Sequence, residues 1–557
     1  MLFVVCSNGT DAGEKLYNGI VLPDAWPPKV EKLSLEPMPV PYLQARPAVI
    51  PIDVGRQFFV DDFLIEETTL KRTFHQLKPY SGNPVIVAEH RWEEEGQWKG
   101  KTGRFAIPFS DGVWFDPKDN LFKMWYMAGV LQRTCYAVSK DGLRWDKPSL
   151  DVRPGTNVVH PGNRDSATVW LDQDEKNPQK RFKMFRFQKL PRRGLVLHYS
   201  ADGIHWGDEI HWASKCHDRT TVFYNPFRKV WVASIKATIP PKPPYLYAVR
   251  RFYEGTDPIS ALNWGGYGDP YLWLRTDRLE QMRNTGKPQH RIYNLDAVAY
   301  ESLMLGMFSI YHGDGDGEPG SRRHMNDVCL GFSRDGFHWH RPDRRAFVGV
   351  GINSSDWNWT NVQSVGGCCL IVRDKLYVYY SGRNSPGVDN AGKANYGTAS
   401  TGLGFLRRDG FASMDAGATE AVLTTCPVRF HGKHLFVNVN SKGGELRIEM
   451  LGMNGKAIAS YTRAQSLVVR TDSTLQPVRW EKGETGGKDL SSLTGQPVRF
   501  RFYMKNARLY SFWVSPDESG ASYRYAAAGG PGFTGSTDRI GSAGYNCAPP
   551  LKLIHPK

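Results

Sequence analysis

The sequence predicts an all-β protein, a five-bladed β-propeller followed by a C-terminal β-sandwich. The main observation is a motif, Ser-x-Asp-Gly-x-x-Trp, which occupies residues 139–145, 200–206 and 333–339. The first two copies begin 61 residues apart and the last two 133 apart, so the repeat has the length of one blade with a degenerate copy in between. Alternating β patterns run through the same region, and the period is lost after Ala416.

The blade count of five needs two weaker copies of the motif. Asp257 and Trp264 stand where the spacing requires the degenerate copy, and Arg408-Asp409-Gly410-Phe411 follows Asp335 by 74 residues. In each copy the Asp-Gly pair suits a tight turn, because Gly accepts positive φ and Asp bonds to nearby backbone. The motifs are therefore expected to be structural.

Four segments are predicted along the chain. They are a Pro-rich N-terminal extension (1–50), the propeller (51–415), an antiparallel sandwich (416–515) and a Gly-rich tail (516–557). The run from Gln57 to Ile65 is predicted to be a strand that closes the propeller ring on its last blade, with Asp61 and Asp62 as structural acids.

Composition and charge narrow the function. No apolar run approaches the ~18 residues of a membrane helix, so no membrane partner is expected. The formal charge is +15, but Lys and Arg are spread through every segment without a basic helix, which argues against nucleic acid and favours anionic surroundings or substrates. The start at Met1–Cys6 is apolar but lacks a basic n-region and is too short for a full signal-peptide h-region. An extracytoplasmic location, periplasmic or secreted, is the expectation, with a cytoplasmic location as the alternative.

The eight cysteines lack metal-ligand spacing, and disulfides are neither required nor excluded. No cofactor is expected, although the acids described next could instead hold a structural Ca²⁺ ion or pair with Arg164 or Arg219.

A cluster of acids is predicted at the centre of the ring. Four inner strands can be aligned by their last residues, which are Asp116, Asp172, Asn225 and Glu301. Seven residues earlier lie Phe109, Asp165, Asp218 and Asn294, and five residues earlier lie Asp111, Ala167, Thr220 and Asp296. Because positions two apart share a strand face, the four aspartates of these two sets are expected to face the channel together.

Clustered carboxylates suit glycoside hydrolysis, which needs one ionised carboxylate and one protonated carboxyl. Glu301 is the fallback acid, although its register places it at the outer turn. His217, Trp357 and Trp359 are candidates to line a sugar site, while a Trp in a propeller is also a common core residue.

The pattern resembles glycoside hydrolase family 32 and its wider superfamily of five-bladed furanosidases, which includes family 43. The local match is the run from Arg164 to Trp170, which is similar to the Arg-Asp-Pro strand of family 32. The C-terminal strands, including residues 436–439 and 508–512, are similar to the sandwich that follows the propeller in family 32. The whole chain also resembles a group of bacterial proteins that is only family 32-like. The resemblance implies that Asp165 stabilises an oxocarbenium-like transition state. Arg164 and Arg219, which are next to Asp165 and Asp218 in the sequence, are candidates to bind substrate.

The chain departs from that family at two motifs. Ser110-Asp111-Gly112 stands where the family has its nucleophile motif Asn-Asp-Pro-Asn-Gly, and His217-Asp218-Arg219 stands in place of the Glu-Cys acid. The hypothesis is a glycosidase of a furanose-containing or decorated oligo- or polysaccharide. Asp111 would be nucleophile or base, Asp165 stabiliser, and Asp218 or Asp296 the acid.

Two other functions fit the sequence. A catalytically silent carbohydrate-binding propeller is favoured by the missing acid Glu. A sialidase is suggested by the likeness of the repeated motif to the Asp-box, although that box has one more residue between Asp and Gly and sialidases have six blades.

Overall fold

The structure is a computed structural model that describes residues 13–95, 102–189, 192–237, 249–266, 269–281, 290–312, 325–385, 387–388, 394–481 and 489–546. Within these ranges the helices are single turns. The α-helical turns are Pro41–Gln44, Arg91–Glu94 and Arg278–Gln281. The 3₁₀ turns are Pro178–Lys180, Ser260–Leu262, Ala459–Tyr461, Ser491–Leu493 and Gly541–Tyr545. None of the described helices is long and apolar enough to span a membrane.

Five antiparallel blades surround a central channel, as predicted, and each starts at the channel and runs outward. Blade 1 is Thr102–Asp116, Leu121–Ala128, Arg133–Ser139 and Val158–His160. Blade 2 is Ala167–Leu171, Phe182–Gln188, Gly194–Ser200 and His211–Trp212. Blade 3 is Thr221–Asn225, Val230–Ala237, Val249–Gly255 and Tyr271–Leu274. Blade 4 is Arg291–Glu301, Leu303–Tyr311 and Asn326–Ser333, with bridges to His340 and Val348.

Blade 5 is formed by strands from both ends of the propeller sequence. Its strands are Asn361–Gln363, Leu370–Val372, Lys375–Asn384, Gly387–Val388, Ala394–Arg407 and Lys78–Pro79. The last of these precedes blade 1 in the chain, and Ile86 also bridges to Thr401. The segment between Lys78 and Ile86 therefore closes the ring.

The repeated motif forms the same turn in blades 1, 2 and 4, directly after the third strand. In blade 1, Ser139 Oγ accepts the Gly142 N–H at 2.8 Å, and Asp141 Oδ1 accepts the N–H groups of Leu143 at 2.8 Å and Arg144 at 2.9 Å. The copies at Ser200 and Ser333 repeat these bonds. The motif thus marks the blades because its side chains satisfy the backbone of one recurrent turn.

A two-layered sandwich follows the propeller. One sheet has the strand order Asp472–Pro477, His434–Asn440, Ala507–Ser515, Ala412–Ala416 and Lys71–Phe74, with Gln57–Phe58 added to Ala507–Ser515. The other has the order Ile65–Thr68, Ala421–Thr425, Arg499–Lys505 and Glu445–Leu451. Ile50–Pro51 pairs in parallel with Val428–Arg429. Residues of both sheets fill one apolar core.

The strand predicted to close the ring lies elsewhere: Gln57–Phe58 pairs with the sandwich. The physical reason is the alternation of its side chains. Phe58 and Val60 belong to the propeller core, whereas Phe59 and Phe63 belong to the sandwich core. Asp61 is nevertheless structural, because it is fully buried against the Arg334 guanidinium at 2.8 Å.

The C-terminal segment covers the end of the channel at which the inner strands finish. Tyr525–Ala526 pairs with Tyr300–Glu301 of the inner strand of blade 4. The backbone of Ala528 accepts the Phe115 N–H at 2.9 Å, and the Gly529 carbonyl accepts the Ile371 N–H at 2.9 Å. Among the described residues, this segment leaves uncovered the opposite end of the channel, where the inner strands begin.

Candidate functional site

A pocket of about 180 Å³ occupies the end of the channel where the inner strands begin. Every blade contributes to it from that position. The lining residues that lie in the inner strands, or just before them, are Phe105, Phe109, Asp165, Asp218, Tyr293, Asn361 and Gln363. The other polar or aromatic lining residues come from the second and third strands: Lys189, Tyr311, Asn326 and Arg383.

The four predicted aspartates occupy two layers of the channel. The layer seven residues before the strand ends meets the pocket, since Asp165 and Asp218 both line it. The layer two residues further along the strands lies beneath, and Asp111 and Asp296 are 0% and 3% exposed. All four carboxyl groups surround the channel, but side chains two positions further along a strand sit about 6.6 Å deeper, and only two reach the pocket.

Asp165 and Asp218 are each held by a lysine. Lys189 Nζ lies 2.6 Å from Asp165 Oδ2, and Lys236 Nζ lies 2.7 Å from Asp218 Oδ1. Burial alone raises the pKa of Asp218, but Lys236 and Lys189 outweigh it and leave that pKa below its ordinary value. The Asp218 side chain is 26% exposed and the Asp165 side chain 8%, so Asp218 is the more accessible acid.

Asp111 is paired below the pocket. Its carboxylate accepts a hydrogen bond from Arg164 Nη1 at 2.8 Å. Burial raises its pKa to about 6 even though the Arg164 cation opposes that change. Arg164 is itself fully buried and donates from Nε to the Asp165 carbonyl at 2.6 Å. This pair therefore fixes the backbone that carries Asp165, and neither side chain is exposed to a substrate.

Asp296 is the centre of a second buried network. Its Oδ2 accepts hydrogen bonds from Ser364 Oγ at 2.6 Å, Asn294 Nδ2 at 2.8 Å and Ser110 Oγ at 3.2 Å. Burial raises its pKa, although Ser364 and Arg219 oppose the rise. Residues of blades 1, 4 and 5 are thus joined under the pocket floor.

Arg219 connects this floor to the pocket. It is fully buried, its Nη2 donates to Asn294 Oδ1 at 2.7 Å, and its guanidinium carbon lies 4.0 Å from the centre of the Phe109 ring. Phe109 and Ser110 have φ of 43° and 73° within a bulge of blade 1, a conformation that non-glycine residues seldom adopt. The strained bulge turns the Phe109 ring into the pocket, and strain of this kind is concentrated at functional sites.

Glu301 lies at the other end of its strand, away from the pocket. It is fully buried, accepts the Arg56 N–H at 3.2 Å and lies 3.4 Å from Arg408 Nη2. Asp409 and Asp538 already neutralise these two guanidinium groups, at 2.8 Å each. Burial, reinforced by these two carboxylates, raises the pKa of Glu301 to about 7 despite the two arginines.

Replacement of Glu301 is expected to change how stability depends on pH. A carboxyl whose pKa is raised from 4.5 to about 7 on folding stabilises the protein below pH 4.5, and that contribution is lost as the pH rises through 7. In the wild type, ionisation of Glu301 should lower the free energy of unfolding by roughly 3 kcal/mol as the pH rises from 4.5 to 7. Glu301→Gln should abolish this loss. Urea titrations at pH 5 and pH 8 measure it. An unchanged difference between the two pH values would contradict the assignment.

The remaining predicted residues lie outside the pocket lining. Trp357 stacks on Tyr380 with ring centres 5.8 Å apart, and its ring fills the space beside Gly382, where a Cβ would come within 2.2 Å of it. It is a packing residue of blade 5. Trp359 and His217 are half-buried at the edges of their blades, and burial together with Lys236 lowers the pKa of His217.

The sequence interpretation missed one group of lining residues. Lys189, Tyr311 and Arg383 stand at the ends of the second strands of blades 2, 4 and 5. Because a second strand runs antiparallel to the inner strand, its last residues lie beside the first residues of the inner strand. That rule could have found them. Within the described ranges, no group of three or more His, Cys, Asp or Glu side chains is arranged to hold a metal ion.

No protein-family model matches the chain, and no curated protein sequence matches it significantly. Several solved structures are distantly similar. An N-acetylgalactosamine deacetylase from F. plautii is 14% identical, with 64% of this chain and 96% of that chain covered and a TM-score of 0.36. A fructofuranosidase from Schwanniomyces occidentalis is 11% identical (72% and 93% covered, TM-score 0.33). A family 43 arabinoxylan arabinofuranohydrolase from Bacillus subtilis is 10% identical (79% and 98% covered, TM-score 0.33).

Proposed function

We propose that the protein is a glycoside hydrolase that cleaves a furanose-containing or otherwise decorated glycan in the axial pocket. The observation that carries this proposal is the pair of carboxylates, Asp165 and Asp218, which enter one pocket from neighbouring blades. Glycoside hydrolysis needs two such groups on either side of the scissile bond.

Asp165 is suited to act as the ionised carboxylate. Lys189 at 2.6 Å stabilises its charge, and the Ser166 N–H donates to its Oδ1 at 3.0 Å. A carboxylate held in this way can stabilise the positive charge that develops at the anomeric carbon. Arg164, through its bond to the Asp165 carbonyl, is a positioning residue.

Asp218 is assigned as the acid. When no sugar is bound, the pKa of Asp218 lies below its ordinary value. Burial is nevertheless the largest single contribution to this pKa, and it acts to raise it. A sugar that displaces water from around the exposed quarter of this side chain increases that influence, so the proton affinity rises when substrate binds. Asp218 then protonates the glycosidic oxygen as the C–O bond breaks. Water supplies the hydroxyl that the anomeric carbon receives, and its proton returns to a carboxylate.

The walls of the pocket are suited to a sugar ring. Tyr293 and Tyr311 stack with ring centres 5.9 Å apart and ring planes inclined by 28°, and Phe109 adds a third aromatic ring. Aromatic faces pack against sugar C–H surfaces, while the amides of Asn326, Asn361 and Gln363 match hydroxyl groups.

A glycan panel of fructans, arabinans and decorated polysaccharides tests the proposal by the release of reducing sugar. The wild type and the control Asp208→Asn, an exposed acid of the same blade as Asp165, should release sugar from the same member of the panel. The double variant Asp165→Asn, Asp218→Asn should release none. Equal release by the double variant would overturn the proposal.

A catalytically silent carbohydrate-binding propeller is the second candidate. The observation that favours it is the lysine beside each pocket acid, together with the lowered pKa of Asp218, because glycoside hydrolysis needs one protonated carboxyl and Asp218 is held in its ionised form when no sugar is present. Binding of a glycan by the wild type with no release of sugar from the panel would support it.

A further inference from the structure

One wall of the pocket is entirely apolar. Blade 1 contributes five of the described lining residues, which are Phe105, Phe109, Met127, Val130 and Leu131. Among the described lining residues of the other four blades there is no aliphatic side chain. A sugar that turns a hydroxyl group toward the wall of blade 1 buries that group without a hydrogen-bond partner, which costs free energy. The wall therefore indicates an apolar substituent on the sugar.

The apolar wall belongs to a small core of its own. Phe105, Met127 and Val130 are at most 3% exposed, and with Ile107 and Ala399 they form a cluster apart from the main core of the propeller. Phe109 and Leu131 pack against this cluster and are partly exposed. These two side chains therefore form the surface of the wall that a ligand meets.

Both exposed residues have a backbone conformation that apolar residues seldom adopt. The φ angle is 43° at Phe109 and 56° at Leu131, in the left-handed region that favours glycine. Glycine or asparagine would occupy these positions with less strain. Because strained backbone is concentrated at functional sites, the conformation of both residues indicates that their side chains are required in the pocket.

The turn that carries Leu131 is tied to the segment that carries Asp165. The Leu131 carbonyl accepts hydrogen bonds from Asn163 Nδ2 at 2.8 Å and from the Arg164 N–H at 3.2 Å. Arg164 Nε in turn donates to the Asp165 carbonyl. A group that packs against Leu131 is therefore held at a fixed position relative to the Asp165 carboxylate, and such positioning favours reaction.

An unused acceptor lies beside the apolar wall. Gln363 is the register partner of Ser381, whose Oγ accepts the Phe109 N–H at 2.9 Å, so Gln363 stands next to Phe109. Gln363 is 3% exposed and lines the pocket, and its Oε1 has no hydrogen-bond partner within the described part of the chain. Rotation of the terminal amide turns this oxygen toward a ligand. A buried acceptor of this kind indicates an N–H or O–H group of the ligand at this point.

We infer that the sugar bound in this pocket carries a methyl group that packs against Phe109 and Leu131, and that a neighbouring N–H or O–H group of the sugar donates to Gln363 Oε1. This inference rests on the proposed function and narrows its substrate class to methyl-bearing sugars. The pocket of about 180 Å³ must also hold the sugar ring, so the apolar substituent is small. Burial of the methyl group removes apolar surface of both sugar and wall from water.

Two kinds of sugar have this chemistry. In a 6-deoxy sugar the methyl group is C6 and a ring hydroxyl is the donor. In an N-acetyl sugar the acetamido group supplies both the methyl group and the N–H donor.

Matched pairs of free monosaccharides test the inference independently of catalysis, because they have no glycosidic bond. The pairs are L-fucose with L-galactose, L-rhamnose with L-mannose, N-acetylgalactosamine with galactose, and N-acetylglucosamine with glucose. In NMR titrations of the wild type, the methyl-bearing member of at least one pair is expected to bind about 5- to 50-fold more tightly than its partner. Preference within a deoxy pair identifies a C6 methyl group, and preference within an N-acetyl pair identifies an acetamido group.

Variants connect the preference to the wall and to the acceptor. Leu131→Asn should remove most of the preference, and asparagine tolerates the φ of 56° at this position, so the turn is kept. Gln363→Met, which removes the acceptor, should weaken binding of the methyl-bearing sugar about 3- to 10-fold. Leu35→Asn, at an exposed leucine of the N-terminal segment, is the matched control and should keep the wild-type ratio.

Three results would overturn the inference. They are equal binding within all four pairs, no binding of any methyl-bearing sugar, and full preference in Leu131→Asn. The first two are measured on the wild type and do not depend on how a variant folds. Unchanged affinity in Gln363→Met would overturn the hydrogen bond to that residue.

Failure of the proposed activity gives a different result. If no glycan is hydrolysed but the preference for the methyl group persists and depends on Leu131, the hydrolase proposal fails and the methyl site stands. If a glycan is hydrolysed as fast without the methyl group as with it, the activity stands and the methyl-bearing substrate class does not.

Discussion

Asp218→Asn is expected to lower kcat on an unactivated glycan by about 10²- to 10⁴-fold, the range that general acid catalysis supplies. The same variant should retain most of its activity on an aryl glycoside with a good leaving group, because such a group departs without protonation. Asp165→Asn should lose activity on both substrates, since the positive charge at the anomeric carbon develops whatever the leaving group is. The comparison of the two substrates separates the roles of the two acids.

The pH profile gives a second measurement of the same assignment. The alkaline limb of kcat reports the acid in the enzyme–substrate complex, and it should disappear in Asp218→Asn. Lys236→Met removes the cation at 2.7 Å that lowers the pKa of Asp218, so it should move that limb to higher pH. An alkaline limb that persists unchanged in Asp218→Asn would assign the acid to another residue, and the two-substrate test would then be repeated on the remaining lining residues.

The sequence could predict the blades because the chemistry that identifies them is local. A Ser and an Asp that satisfy the backbone of one turn must lie within a few residues of it, and the spacing of Ser139, Ser200 and Ser333 then gives the repeat. The fifth copy of the motif, Arg408-Asp409-Gly410-Phe411, shows the limit of this reasoning. Asp409 accepts hydrogen bonds from Tyr300 at 2.6 Å and Ser511 at 2.7 Å, so it joins the propeller to the sandwich in addition to marking a blade.

The sequence could predict where the candidate pocket lies to the level of the strand and no further. Counting back from the strand ends brought Asp165, Asp218, Asp111 and Asp296 to one channel, because residue number fixes both face and height along a strand. Which of the two layers of aspartates opens into a pocket depends on what covers each end of the channel. The tail at Tyr525–Ala526 covers the far end, and that contact spans more than 200 residues of sequence. No local pattern contains it.

The prediction that the strand at Gln57–Phe58 closes the ring was wrong for a related reason. Its apolar run was correctly read as buried, but two apolar faces are equally consistent with a place in a ring and a place between two domains. The strand with which it pairs decides between these two places. That strand is Ala507–Ser515, more than 400 residues away in the sequence.

Arg56→Ala is expected to destabilise the protein by about 3–5 kcal/mol, the cost of removing one member of a buried ion pair. Arg56 and its partners Glu301 and Asp409 are 0% exposed, and its guanidinium lies 2.8 Å from Asp409 and 4.0 Å from the centre of the Trp513 ring. The variant leaves Asp409, whose pKa is held to about 2, with one fewer cation in a site that water does not reach. Arg470→Ala, which removes a surface pair with Glu445, is the control and should cost less than about 1 kcal/mol.

The same variant also tests how the two domains are coupled. Arg56 directly precedes the strand Gln57–Phe58, its ion-pair partners Glu301 and Asp409 belong to the propeller, and Trp513 belongs to the sandwich, so one side chain connects the two domains. In urea, the wild type is expected to unfold in one transition at both tryptophan fluorescence and far-UV circular dichroism. Arg56→Ala should separate the two signals, because the sandwich then gains less from a folded propeller. Coincident transitions with a loss no greater than that of Arg470→Ala would show that the apolar contacts of Phe58 and Phe59 couple the domains without this network.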